Sequence, residues 1–388
     1  MKYLLSFSIA IFFIFINCKS KSIEPLQADI DAIVKHWLPD KRVGICNFNL
    51  VPTNKSEVVI KGESLYPGSK AEVLDFLRGK GISIIDSVVI LPDTVRFEKN
   101  WGLVTLSVAN MRTKPAHSSE MVSQAIMGTP VRILKEIEGW TLIQTPDLYI
   151  GWTNRSAIHP MTRSDINEWR SSERLIYTGT DGSIKGENPD NTIISDLVAG
   201  ALVVKKSVSS KFAVIALPDG RTGVIQKVNW TDFNKWKDTV SLKTDLMIST
   251  GKKFMGFPYL WGGTSSKGMD CSGFVKTVCF LNGVILERDA SQQVNHGTEV
   301  DLSGGTGKLI KGDLLFFGSR QPYRVNHVGL YIGNSEVLHE SGSVHINSLE
   351  KGKSNYNEEL ASNLVAARRI IGKFPEKGYW PLKNHNWY

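Results

Sequence analysis

The stretch Tyr259-Leu-Trp-Gly-Gly-Thr-Ser-Ser-Lys-Gly-Met-Asp-Cys-Ser-Gly-Phe-Val275 changes character at its middle. Its first part is rich in turn formers, whereas Phe274, Val278 and Leu281 recur at helical spacing after Cys271. One thiol is thereby placed at the N-terminus of a buried helix. Unpaired backbone N–H groups and the positive end of the helix dipole favour thiolate there, so the sequence predicts a lowered cysteine pKa. Downstream, Asn326-His-Val-Gly-Leu-Tyr-Ile-Gly333 predicts a strand that opens on His327 and ends at the turn Gly333-Asn334. A cysteine followed by a histidine is the skeleton of a thiol hydrolase.

A thiolate that attacks an amide carbonyl needs a base, a group that orients the base, and N–H donors for the oxyanion. His327 is the candidate base. His339 is the candidate orienter, because the Gly333-Asn334 turn folds residues 336–340 back beside the first strand. His345 competes for that place but lies beyond Gly342, where the strand is expected to end. The backbone N–H groups of Cys271 and Ser272 would serve the oxyanion.

The chain has 388 residues, 41% hydrophobic and 22% charged, enough for a sizeable core and two to four domains. Its net charge of +8 suits an anionic neighbourhood such as wall polymers, but the basic residues are scattered and carry no nucleic-acid motif. Nucleic acid is therefore excluded as a partner. Lys2 and the apolar run over residues 3–16 read as an export signal, and Cys18 opens the polar tether Cys-Lys-Ser-Lys-Ser. This junction resembles a bacterial lipoprotein processing site, with Phe15-Ile16-Asn17 in place of the usual leucine and small residues. The expectation is a periplasmic or cell-envelope lipoprotein attached through Cys18, with simple secretion or an uncleaved anchor as alternatives. Cys46 and Cys279 read as small buried hydrophobes. No cysteine or histidine pair has metal-site spacing, so no metal and no cofactor are expected.

Residues 25–95 mix strand-like runs with one helical stretch near 70–78, a small α/β region without a recognisable site. From Trp101 to about residue 235, short β runs alternate with turns. They contain a repeat: Gly128, Val131, Trp140, Leu142, Ile143, Pro146-Asp147 and Gly151 align with Gly200, Val203, Phe212, Val214, Ile215, Pro218-Asp219 and Gly223, always 72 residues apart. Each unit predicts a small barrel of short strands that looks like a bacterial SH3-like domain. Only the first is expected to carry a functional loop, Met111-Arg-Thr-Lys-Pro-Ala-His-Ser-Ser-Glu120. From about Leu242 a helix near 244–253 precedes the Cys271 helix and a strand meander, an α+β arrangement. Residues 363–371 predict a further strand, and the Trp/Tyr-rich tail after Phe374 is expected to pack on the surface.

In this order and spacing, Trp-Gly-Gly, Asp-Cys-Ser-Gly and Asn-His-Val-Gly over residues 245–371 resemble the NlpC-type peptidases, papain-like cysteine peptidases with a Cys-His-His triad. Two SH3-like domains ahead of the catalytic one further resemble the γ-D-glutamyl-L-diamino acid endopeptidases. The resemblance divides the chain into signal and lipobox (1–18), α/β region (19–98), SH3-like barrels (99–160 and 161–240) and peptidase domain (241–388). It implies cleavage between γ-D-Glu and the diamino acid of murein peptides whose L-Ala amine is free, by a monomer. It also implies that Cys271 is nucleophile, His327 base and His339 orienter, and that Tyr259, Asp270, Ser272 and Asp289 contact the substrate. Ala290 departs from the hydroxyl common at its position. Glu120 and Tyr149 best match the barrel positions that bind the free amine, where a carboxylate suits an ammonium in charge and hydrogen bonding. The alternatives are a hydrolase of intact peptidoglycan and an inactive wall-binding protein.

Overall fold

The computed structural model describes residues 23–53, 57–94, 98–187, 192–372 and 378–388. The expected export signal and Cys18 lie outside the described residues. Two compact units divide the described residues, the first drawn from 23–39 and 46–89 and the second from 40–45 and 90–388.

In the first unit, strands Cys46–Pro52, Glu57–Ser64 and Ser83–Ile90 form a sheet in chain order, accompanied by helix Pro67–Gly79. A second helix, Ile23–Trp37, precedes the sheet in a region where the sequence predicts only the one helical stretch near 70–78. Leu26, Ile30, Ile33, Val34 and Trp37 recur at its helical period, and Ile30 is fully buried.

The second unit begins with two barrels built alike. The first uses strands Trp101–Val104, Val108–Arg112, Met121–Ile126, Pro130–Ile137, Trp140–Gln144, Ile150–Asn154 and Ile158–Met161. The second uses Arg174–Tyr177, Asp181–Lys185, Ile193–Val198, Leu202–Val208, Phe212–Ala216, Thr222–Gln226 and Trp230–Asp232. Counted from each barrel's own start, neighbours run 7-1-4-5-6-2-3 in both. A register shift recurs at Ile133/Lys135 and Lys205/Ser207, again 72 residues apart. Gly128 (φ 76°) and Gly200 (φ 90°) lead into the fourth strands and face the other barrel. A Cβ on Gly128 would meet Leu202 O at 2.3 Å, and one on Gly200 would meet Ile126 Cδ1 at 2.9 Å. Glycine is thus required twice, for conformation and for close approach.

Between strands two and three the second barrel has residues 186–192 where the first has 113–120, and 188–191 lie outside the described residues. The expectation of short β runs from Trp101 to about residue 235 is corrected at one point. A helix, Arg163–Ser171, follows the first barrel; Thr162 and Asp165 form a reciprocal capping box that fixes its start, and Ile166 and Trp169 bury its inner face.

The remainder is helix Thr244–Lys252, hairpin Thr264–Ser265/Gly268–Met269, helix Cys271–Phe280 and an antiparallel six-stranded sheet. Five of its strands lie in the order Leu364–Arg369, Leu314–Arg320, Tyr323–Gly333, Glu336–Ser341, Ser343–Ser348. Phe274, Val275 and Val278 of the Cys271 helix share one core with Val328, Leu330 and Leu338 of the sheet. The His327 strand starts at Tyr323, four residues earlier than predicted, because Tyr323–Val325 continue the pairing past a register shift at Phe317/Gly318. The C-terminal tail is also unlike the expectation: Trp387 and Tyr388 are buried with Trp101, Trp169 and Phe233. Their large apolar rings fill the space between barrel and helices, which no surface position would reward. Among the described residues, no helix is long and apolar enough to cross a membrane.

Candidate functional site

Asp270 is the N-cap of the Cys271 helix; its Oδ1 accepts from Gly273 N–H at 2.8 Å. It also accepts from Gly262 N–H (3.0 Å), the Ser272 hydroxyl (3.1 Å) and both terminal nitrogens of Arg288 (3.0 and 2.5 Å). Burial pushes the Asp270 carboxyl up, but Arg288 and these donors outweigh it and hold the group below the usual carboxylate range. Arg288 is 1% exposed and also donates to Ser272 Oγ at 2.9 Å. Asp270 and Ser272 therefore spend their hydrogen-bonding capacity on holding the turn and helix start. The sequence reading missed Arg288, although it stands directly before Asp289.

Cys271 is 7% exposed, and its thiol is pushed up to about 11 by burial and by Asp270. Backbone N–H groups of Val328 and Ser272, with Arg288, pull the other way and lose. The predicted lowering does not prevail, because desolvation and the adjacent carboxylate outweigh the backbone N–H donors and Arg288. Tyr259, at the cavity rim, is pushed up to about 12, first by burial and then by Cys271 and Asp270, so its hydroxyl remains a donor.

The thiol is tied to the histidine strand through Val328, the neighbour of His327. His339 lies opposite Gly329, two residues along from His327 on the same face of the strand. Their rings meet at His327 Nε2 and His339 Nδ1, 2.9 Å apart, and His339 Nε2 meets Asn347 Oδ1 at 3.0 Å. Asn347 Nδ2 donates to Asn355 O, which turns its oxygen toward the histidines. The proton positions follow. His339 must donate from Nε2 and accept at Nδ1, so His327 carries its proton on Nε2 and keeps a lone pair on Nδ1. Burial, together with the neighbouring histidines, lowers His327 to about 3; burial, with His345, lowers His339 to about 4. Both rest neutral at pH 7. His345 belongs to strand Ser343–Ser348, opposite His339, and shares Asn347 Oδ1 at 3.0 Å. Asn347 was missed because the chain was expected to leave the sheet at Gly342.

A cavity of about 340 Å3 opens over Cys271, lined also by Tyr259, Asp270, Ser272, Asp289, Glu120 and Tyr149. Seven of the nine residues expected at the site thus line this cavity, and the other two, His327 and His339, form the histidine chain. Glu120 Oε1 accepts from Trp261 Nε1 at 2.9 Å, which fixes the barrel loop to the turn before Cys271. The Tyr149 hydroxyl donates to Asp289 Oδ2 at 3.1 Å. Arg42, from the short segment 40–45, reaches the same Oδ2 at 2.8 Å and Ser291 Oγ at 2.9 Å, and is itself held by Asp40. No local pattern marks Arg42, since its role is set by residues more than two hundred positions away. Among the described residues, no cluster of histidine, cysteine or carboxylate side chains is placed to hold a metal ion.

Residues 256–364 match the NlpC/P60 family, and residues 111–158 match the bacterial dipeptidyl-peptidase Sh3 domain. The chain is similar to a gamma-D-glutamyl-L-lysine dipeptidyl-peptidase of Bacillus cereus, 38% identical over 236 residues, covering 58% of this chain and 68% of that protein. It is also similar to dipeptidyl-peptidase 6 of Lysinibacillus sphaericus, 27% identical, covering 68% of this chain and 97% of the relative. In fold it resembles the crystal structure of an NlpC/P60 family protein from Bacillus cereus, with a TM-score of 0.61 at 23% identity over 70% of this chain and 99% of that one. The stretch from the Tyr259 turn through the Cys271 helix to the His339 strand lies wholly inside the matched residues, and this chain belongs to the NlpC/P60 family.

Proposed function

We propose that this chain, a peptidase, uses Cys271 to hydrolyse the bond between γ-D-Glu and the diamino acid of peptidoglycan stem peptides whose N-terminal L-Ala amine is free. Cys271 Sγ attacks the γ-carbonyl of D-Glu while its proton passes to Nδ1 of His327. His339, braced by Asn347, holds that ring and stabilises the imidazolium through Nδ1. The Cys271 N–H and the Tyr259 hydroxyl receive the oxyanion, since the Ser272 N–H is turned toward the sulfur. The C–N bond breaks, His327 returns the proton to the departing amine, and a thioester remains. Water, deprotonated by His327, then releases L-Ala-γ-D-Glu and restores the thiol.

The observation that carries this reading is that Glu120 and Tyr149 line the same cavity as Cys271. A carboxylate such as Glu120 suits a dipeptide ammonium and discriminates against an acylated nitrogen, which has neither the charge nor the hydrogen bonds to meet it. The names of the relatives support the same substrate class. Mass spectrometry of products from free and N-acetylated L-Ala-γ-D-Glu-diamino-acid peptides tests it. Cleavage of the free peptide alone, lost in Cys271→Ser, is expected; equal cleavage of the acetylated peptide would replace the reading with hydrolysis of intact wall.

The apolar run over residues 3–16 and Cys18 support export and anchoring at the cell envelope. Incorporation of labelled palmitate, abolished by Cys18→Ala, is the corresponding test.

A further inference from the structure

The turn Thr145–Tyr149 borders both the cavity over Cys271, through Tyr149, and another of about 600 Å3, through Leu148. At the second cavity, three neighbouring strands of the first barrel set Trp101 between Arg132 on one side and Met161 on the other. Arg163, two residues beyond Met161, lays its guanidinium 5.0 Å above the Trp101 ring. Trp387 of the tail meets the same indole edge-on at 5.0 Å. Two arginines are thus held at one aromatic wall, and among the described residues neither has a carboxylate partner. Burial and the charge of Arg163 both press the Arg132 guanidinium downward in pKa, the mark of like charges kept together by the fold. His385 adds no charge: its Nε2 donates to Pro146 O (3.1 Å) and its Nδ1 accepts from Trp387 N–H (3.3 Å), which fixes a neutral ring.

Two guanidiniums without a counter-ion call for an anion, and their planar forks match a carboxylate. The rest of the lining narrows the class. Trp380 is half-buried and offers an aromatic surface, while Asn384 and Asn386 are exposed amides able to donate to and accept from hydroxyl groups. We infer that this cavity binds an acidic glycan, with Arg132 and Arg163 on a sugar-borne carboxylate and Trp380, Asn384 and Asn386 on the rings.

The inference deepens the functional reading and rests on it in one respect. A murein peptide acquires a free L-Ala amine when water cleaves the amide joining it to the lactyl group of the glycan. That hydrolysis yields two charged ends, an ammonium on the peptide and a carboxylate on the sugar. The cavity over Cys271 suits the first and the arginine cavity the second, so the enzyme would stay on glycan from which peptides have just been released.

Titration calorimetry of the full chain with glycan strands of N-acetylglucosamine and N-acetylmuramic acid, their lactyl carboxylates freed, tests the inference. Wild type is expected to bind, R132Q/R163Q at least tenfold more weakly, and R132K/R163K within a few fold of wild type. N-acetylglucosamine oligomers of equal length, lacking the carboxylate, are expected to bind at least tenfold more weakly. Turnover of free stem peptide by R132Q/R163Q within twofold of wild type verifies folding and keeps this test separate from that of the peptidase reading. Absence of binding, equal binding of neutral oligomers, an unchanged R132Q/R163Q affinity, or preference for poly(glycerol phosphate) would each overturn it.

Discussion

The two barrels share strand order, register shift and the glycine before the fourth strand, yet they meet the catalytic part with different chemistry. Gln124 and Asp196 are equivalent positions, and both reach the hairpin that precedes Cys271. The buried Gln124 accepts from Thr264 N–H (3.0 Å) and Ser265 Oγ (2.9 Å), and its backbone oxygen accepts from Thr264 Oγ1 (2.9 Å). Asp196 instead makes one ion pair with Lys267, both side chains nearly half exposed. Where the first barrel presents Glu120 and Tyr149, the second presents Thr192 and Arg221, and Arg221 pairs with Asp219 in its own turn. On the proposed reading, a duplicated scaffold supplies support twice but specificity once, and the side chains at two loops, rather than the fold, decide which copy enters the site.

Predictions that sharpen this contrast run from large to small. Cys271→Ala removes the group that forms the covalent bond and is expected to lower kcat on free stem peptides by about 10⁴-fold or more, setting the floor for every barrel variant. The raised Cys271 thiol comes next. Because its pKa is pushed up to about 11, the thiolate fraction grows about tenfold per pH unit from pH 6 to 9. Iodoacetamide inactivation is expected to accelerate about 10³-fold over that span. A plateau from pH 5 upward would show a preformed thiolate-imidazolium pair. Between barrels, Glu120→Gln and Tyr149→Phe are each expected to cost about 10- to 100-fold in kcat/KM, a loss on the scale of one charge-assisted hydrogen bond. Steady-state kinetics of Thr192→Ala and Arg221→Ala are expected to stay within twofold of wild type. Comparable losses in both barrels would erase the distinction.

The smallest effects concern stability. Gln124→Ala leaves buried hairpin donors unsatisfied and is expected to cost about 1–3 kcal/mol by chemical denaturation. Asp196→Ala removes a solvent-exposed ion pair and is expected to cost less than about 0.5 kcal/mol.

The Cys271 helix was legible because its apolar period and the turn-rich stretch ahead of it are local signals, whereas the Asp270 cap was not read from them. The His327–His339 pairing was legible through hairpin register, an arithmetic of turn length and strand period. The barrel repeat was legible from the fourth to the sixth strand for the same reason, since glycines and alternation recur at fixed spacing. Other features depend on burial or on partners remote in sequence. The direction of the Cys271 shift turned on desolvation, which helix position does not reveal. Arg42 acquires its role from Asp289 and Ser291, and Asn347 from a strand that resumes after Gly342. The tail showed its aromatic content but not its destination, because Trp387 and Tyr388 are apolar enough for any hydrophobic space and find theirs between the first barrel and two helices.

The central claim is a divided site, in which Cys271 performs the chemistry and the first barrel selects the amine. Its most direct test is the ratio of kcat/KM for L-Ala-γ-D-Glu-diamino acid to that for its N-acetyl derivative, measured in wild type and Glu120→Gln. A ratio of about 100 or more in wild type, reduced at least tenfold in the variant, is the predicted result. A ratio that Glu120→Gln leaves unchanged would contradict the account.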